Sequence, residues 1–171
     1  RNDLSTLTEE GKTQALKAGE ALANLNINAV YSSPLQRAAQ TTELLIHSIN
    51  KELRPVLTDD LLEVDLDHWS GLTKRQVESQ FPEANEIWKE DAKDLEITRK
   101  DGTSFKPILE LSEQAKTFLD KITISHPPSK EQTILIVAHN AILRCLITEL
   151  LNDPEKGFNR LQLDNTSISI I

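Results

Sequence analysis

Residues 133–147 read TILIVAHNAILRCLI. An apolar run ends at Ala138, His139 and Asn140 follow, and a second apolar stretch starts without a spacer. The first run is short and does not alternate, the pattern of a strand covered on both faces. Asn140 to Leu151 reads as a helix. A strand that ends on a histidine and turns straight into a helix sets that side chain beside unpaired backbone N–H groups. Those groups and the helix dipole attract an anion.

The same arrangement occurs earlier, where INAVYSS (27–33) leads into Pro34-Leu35-Gln36-Arg37. Here Ser33 is the expected N-cap and Pro34 the first helical residue. Leu35, Ala38, Ala39, Thr42, Leu45, Ile46 and Ile49 are expected to line one side of that helix. Upstream, Thr8 opens a helix with Glu9 and Glu10 in its first turn, and Leu16, Ala18, Ala21, Leu22 and Leu25 form its expected apolar side. Downstream come a brief strand at 55–57, a long connection at 58–72 and a helix from Thr73 to Phe81. A second helix follows from Pro82 to Ala92, then a polar stretch at 93–107 with an Asp101-Gly102 turn, then a long helix from Pro107 to Ile124. The tail, Leu161 to Ile171, carries two short strand-like runs around Asp164-Asn165. Strands separated by helices of this length predict an α/β fold of three layers, a mostly parallel sheet flanked by helices.

The chain has 171 residues, which suits a single domain spanning 1–171. Acidic residues number 27 against 19 basic, a formal charge of −8. That balance argues against a nucleic-acid or anionic-membrane surface, yet leaves room for a small anionic substrate held by a few focused cations. The single cysteine, Cys145, cannot form an internal disulfide and is expected in the core. No Cys/His cluster has zinc spacing, and no apolar run approaches a membrane span. With no leader pattern at the start, a cytoplasmic setting is expected. The chain opens at Arg1 and holds no methionine, so residues before Arg1, or processing, are expected.

Ligands of open α/β sheets gather beyond the carboxyl ends of the strands. Arg37, one turn into its helix, can offer two parallel donors to phosphate oxygens. His139 can hydrogen-bond the same group or attack it. Taken singly, each is ordinarily a structural or solvated residue; their placement on two strand-to-helix turns of one sheet is what marks them. Glu63, in LLEVDLDHWSGL (61–72), adds a carboxyl that can protonate a departing alkoxide. Asp65 and Asp67 share its parity, and Trp69 and Gly71 suggest that this loop packs back onto the domain. His47, His68 and His126 are weaker candidates.

SSPLQRAAQTTELL (32–45), LLEVDLDHWSGLT (61–73) and VAHNAILRCLI (137–147) resemble three successive motifs of the histidine phosphatase superfamily, the phosphoglycerate mutase-like proteins. Residues 4–22 resemble the stretch after that family's first motif, and NTSISII (165–171) its closing strand. The resemblance implies a metal-independent phosphatase of small phosphorylated metabolites, acting through a phosphohistidine and needing no cofactor. In its terms Arg37 clamps the phosphoryl group, Glu63 is the acid/base, and His139 is the second histidine with Asn140 beside it. The family's nucleophile belongs to an Arg-His-Gly motif ending the first strand, and no such motif occurs between Arg1 and Ile171. The expectation is therefore that this strand lies before Arg1, beside the strand ending at Ala138. Residues 74–112, with Phe81, Trp88, Lys89, Arg99 and Lys100, are expected to form a cap. The alternatives are a cofactor-dependent phosphoglycerate mutase and a catalytically inactive phosphate-binding or interaction module. Neither the substrate nor the oligomeric state is legible.

Overall fold

The computed structural model describes residues 5–153 and 157–171. Arg1, and Leu4 at the start of the 4–22 stretch, lie outside the described residues. The elements are α1 (Glu9–Leu22), β1 (Ile27–Ser32), α2 (Gln36–Ile49), β2 (Val56–Leu57), α3 (Lys74–Gln80), α4 (Pro82–Asp91), β3 (Ile97–Thr98), β4 (Ser104–Phe105), α5 (Pro107–Ser125), β5 (Thr133–Val137) and α6 (Asn140–Leu150). Strands β2, β1 and β5 form a parallel sheet in that order, Tyr31 pairing with both Val56 and Ile136. Helices α1 and α2 pack on one face and α5 and α6 on the other, the α/β layering expected of strands joined by long helices.

The main core lies between the sheet and α5–α6, where Ile108, Leu111, Ala115, Phe118, Ile142 and Cys145 are almost fully buried. Tyr31 reaches this layer, meeting Phe118 edge-on at 5.7 Å between centroids. Its hydroxyl lies 2.9 Å from His126 Nε2, and His126 Nδ1 lies 2.9 Å from Gln132 Oε1. That histidine fastens the end of α5 to the sheet. Burial pushes the Cys145 thiol up to about 11, as befits a core cysteine.

Helix α1 starts as expected, with Gly11 N–H donating to Thr8 Oγ1, but its inward face is different. Ala15, Gly19 and Leu22 are buried, whereas Leu16 and Leu25 are exposed. Close approach to α2 sets this choice. A β-carbon on Gly19 would stand 2.8 Å from Ser48 Cβ and 3.1 Å from the Leu45 carbonyl oxygen. The layer thus meets α2 through small side chains, and bulkier Leu16 is turned out.

Three further expectations change. Helix α2 begins at Gln36 with Leu35 as N-cap, not Ser33, because Leu35 keeps an extended backbone at ψ 134°. The polar stretch at 93–107 holds a small hairpin, β3 against β4, with Gly102 at φ +87° in its turn. No strand forms among residues 161–171; they lie across a groove from β5, and among the described residues no strand stands there for them to pair with. For the same reason β5 is only half-buried from Ile134 to Ile136, not covered on both faces.

Candidate active site

Parallel strands deliver their carboxyl ends to the same side of the sheet, and Ser32 pairs with Val137. The Ser33-Pro34 and Ala138-His139 turns therefore sit side by side. Ser33 N–H donates to the Val137 carbonyl at 3.0 Å, extending the pairing one residue beyond β1. His139 is 7 % exposed, and its Nε2 lies 2.8 Å from Ser33 Oγ. Burial, and secondarily the positive charge of Arg37, push this imidazole from the usual 6.5 down to about 4. At neutral pH it is uncharged.

Glu63 approaches from the 58–72 connection. Its Oε2 accepts from Ala141 N–H and its Oε1 from Ile142 N–H, both at 3.3 Å, and Oε1 also accepts from Val64 N–H at 2.9 Å. The N-terminus of α6, expected to face a phosphate, thus grips a carboxylate. Physically the two are equivalent occupants, since unpaired N–H groups and the helix dipole favour either anion. Glu63 is thereby fixed one residue beyond the His139-Asn140 pair.

The shared parity of the three acids does not survive, because the chain there is not extended. Asp65 Oδ1 accepts from Asp67 N–H at 3.0 Å, and Asp67 takes φ +44° at the start of a 3₁₀ turn, Asp67–Trp69. His68 packs against Phe81, with centroids 4.7 Å apart. His47 is exposed on α2.

Arg37, Glu63, His139 and Asn140 all line one groove of about 780 Å³. Arg37 Nη1 also donates to Ser5 Oγ at 3.2 Å. The Asn140 amide donates to the Leu163 carbonyl at 2.9 Å, and its Oδ1 lies 3.5 Å from Arg144 Nη1. The Arg144 guanidinium stacks over Phe158, 3.9 Å from the ring centroid. Beyond the four polar groups the groove continues along β5 from Ile134 to Ala138. Its sides are apolar residues from both helical layers, Ala18 and Leu22 against Leu146 and Ile147, and residues 163–169 and Ile171 close its far wall. Among the described residues, no group of three or more His, Cys, Asp or Glu could hold a metal ion, and no helix is long and apolar enough to cross a membrane.

The pattern of the histidine phosphatase superfamily (branch 1) matches residues 1–171. The chain belongs to that superfamily. It is 28% identical over 165 residues to phosphoserine phosphatase 1 of Hydrogenobacter thermophilus, covering 96% of this chain and 74% of that one. It is 29% identical over 170 residues to a probable 2-carboxy-D-arabinitol-1-phosphatase of Arabidopsis thaliana, covering 99% of this chain but 33% of the relative. The chain thus spans about a third of the plant relative's length and about three quarters of the bacterial one. Among solved structures, a mycobacterial glucosyl-3-phosphoglycerate phosphatase superposes with a TM-score of 0.77 at 25% identity, over 92% of this chain and 73% of that one. The α/β fold expected from the sequence, a parallel sheet flanked by helices, is shared with that solved structure.

Ser33 is the residue that reading the sequence missed. A serine before proline at a strand-to-helix turn has the signature of an N-cap, and its bond to a histidine 106 positions away has no local signal.

Proposed function

We propose that the protein is a metal-independent phosphatase of small phosphorylated metabolites. The observation that supports this reading is the groove at the carboxyl ends of β1 and β5, where Arg37, Glu63, His139 and Asn140 meet. In this reading the Arg37 guanidinium clamps two phosphoryl oxygens, and neutral His139 donates a hydrogen bond to a third. Asn140 holds the tail at the rim through Leu163. Glu63, held against α6, gives a proton to the leaving alkoxide and then takes one from the attacking water. Phosphoryl transfer needs little from a protein besides positioning and neutralisation of oxygen charge, which these side chains supply.

The nucleophile in this reading is a histidine on an extended segment preceding Arg1 in the intact protein, seated in the groove. What supports that seat is the edge of β5 that no strand covers among the described residues, combined with apolar walls from both layers. An added strand would complete the ladder and cover the half-buried Ala18 and Ile147 at once. Within residues 74–112, the part that precedes α5 then acts as the cap that chooses the substrate, while Ile108 and Leu111 belong to the main core.

The experiment is phosphate release from a panel of alkyl and aryl phosphomonoesters by the full-length protein in excess chelator. Turnover that persists in chelator and falls about 10²–10³-fold in Arg37→Ala is the expected result. Turnover abolished by chelator, or unchanged in Arg37→Ala, would refute the reading. Release that required an added bisphosphoglycerate primer would indicate a mutase.

A further inference from the structure

We infer that Ser33 is a positioning residue for His139: its hydroxyl donates to Nε2 and holds the imidazole as the tautomer protonated on Nδ1. The inference rests on the reading of His139 as a phosphoryl-binding group. Ser33 and His139 are joined at 2.8 Å, and Ser33 is fully buried.

Direction follows from the number of protons available. Ser33 Oγ already accepts from Leu35 N–H at 3.4 Å. The hydroxyl has one proton to give, and the acceptor facing it is His139 Nε2. Were Nε2 itself protonated, the oxygen could accept both N–H groups, but its own buried O–H would be left without an acceptor, a costly arrangement in an apolar interior. A doubly protonated ring is opposed in turn by burial and by Arg37, the positive group facing the histidine from α2. Glu63, in the connection packed against the start of α6, lies along the same rim and is tied to the backbone of that helix. The neutral ring therefore keeps Nε2 for Ser33 and presents Nδ1–H as its donor.

The serine is itself fixed. Its N–H is bonded to Val137, and the Ser32 hydroxyl donates to the Ser33 carbonyl at 3.0 Å while lying 2.8 Å from Thr42 Oγ1. Ser32 and Thr42 are also fully buried. This interior chain of polar groups runs from α2 to the histidine, so the position of Ser33 is set from inside the fold. A serine 2.8 Å from a histidine is also the geometry of an activated nucleophile, but full burial of the side chain bars Ser33 from attacking a substrate.

The test uses full-length protein labelled with ¹⁵N in its histidines, with the His139 signals identified by their loss in His139→Gln. Long-range proton–nitrogen correlation at pH 7 should show His139 protonated on Nδ1 and unprotonated on Nε2. In Ser33→Ala this preference should collapse to a mixture, and kcat/KM for a phosphomonoester should fall at least tenfold with its pH profile displaced. An Nε2–H tautomer in the unaltered protein would overturn the inference, as would an unchanged tautomer in Ser33→Ala. Should Ser33→Ala not fold, the tautomer of the unaltered protein decides alone. A tautomer that follows Ser33 in a protein without phosphatase activity would uphold the coupling and refute the functional reading, so the two failures are distinguishable.

Discussion

His139 combines two conditions that rarely coincide: a buried imidazole and a neighbouring guanidinium. Both act against the proton, so the folded ring titrates near 4 while the unfolded one titrates near 6.5. Below 6.5 the unfolded chain binds a proton that the folded chain refuses. Stability should therefore be complete above pH 6.5 and fall as the pH drops toward 4, by about 1.4 kcal/mol per unit at the limit. Urea unfolding at pH 7.5 and 5 should show this loss, and His139→Asn should lose less over the same interval. An equal loss in both would assign the acid sensitivity to other groups. Glu63 makes a kinetic prediction instead. Glu63→Gln should slow hydrolysis of alkyl phosphates more than aryl phosphates, since only a poor leaving group needs its proton. Equal slowing would remove Glu63 from the acid role. His139 stands out in the sequence because an apolar run breaks there, whereas Glu63 shares its spacing with Asp65 and Asp67 and is singled out by the family resemblance. Ser33 does not stand out, because a serine at a helix start has a local explanation that hides its distant one.

At the scale of elements, the α1–α2 contact was only half legible. The helix periods were clear in both, but which stripe of α1 faces inward depends on how near α2 comes, and spacing along one helix does not carry that distance. Gly19 sets it. Gly19→Ala gains helix propensity of just under about 1 kcal/mol yet places a methyl against Ser48 Cβ and the Leu45 carbonyl. The net effect should be destabilising, by about 1–2 kcal/mol in chemical denaturation; a gain in stability would show that the helices separate freely. Strand β5 and the tail teach the same lesson. An unbroken apolar run signalled a strand covered on both faces, and the tail signalled strands. Both signals describe a strand with neighbours on each side, and within the described residues β5 pairs with β1 alone.

For the molecule as a whole, the order of strands and helices was legible because parallel sheets need long crossovers, and the chain provides them between β1 and β2 and between β2 and β5. The groove was foreseen only through family resemblance, since no residue in a strand announces that its edge is free. Its polar end and its apolar length make one slot, with the candidate site where β1 and β5 deliver their last residues. A polypeptide of Arg1–Ile171 alone should bind an apolar dye in this slot and release no phosphate. The full-length protein should exclude the dye and be active, and dye binding that does not differ between the two would argue against an inserted strand. The most direct test of the central claim is the position of orthovanadate in crystals of the full-length protein. The account predicts vanadium at the polar end of the groove, its oxygens within hydrogen-bonding reach of the Arg37 guanidinium and the His139 ring, with the Glu63 carboxyl facing the leaving side. Vanadate bound elsewhere, or bound there with these three side chains turned away, would contradict it.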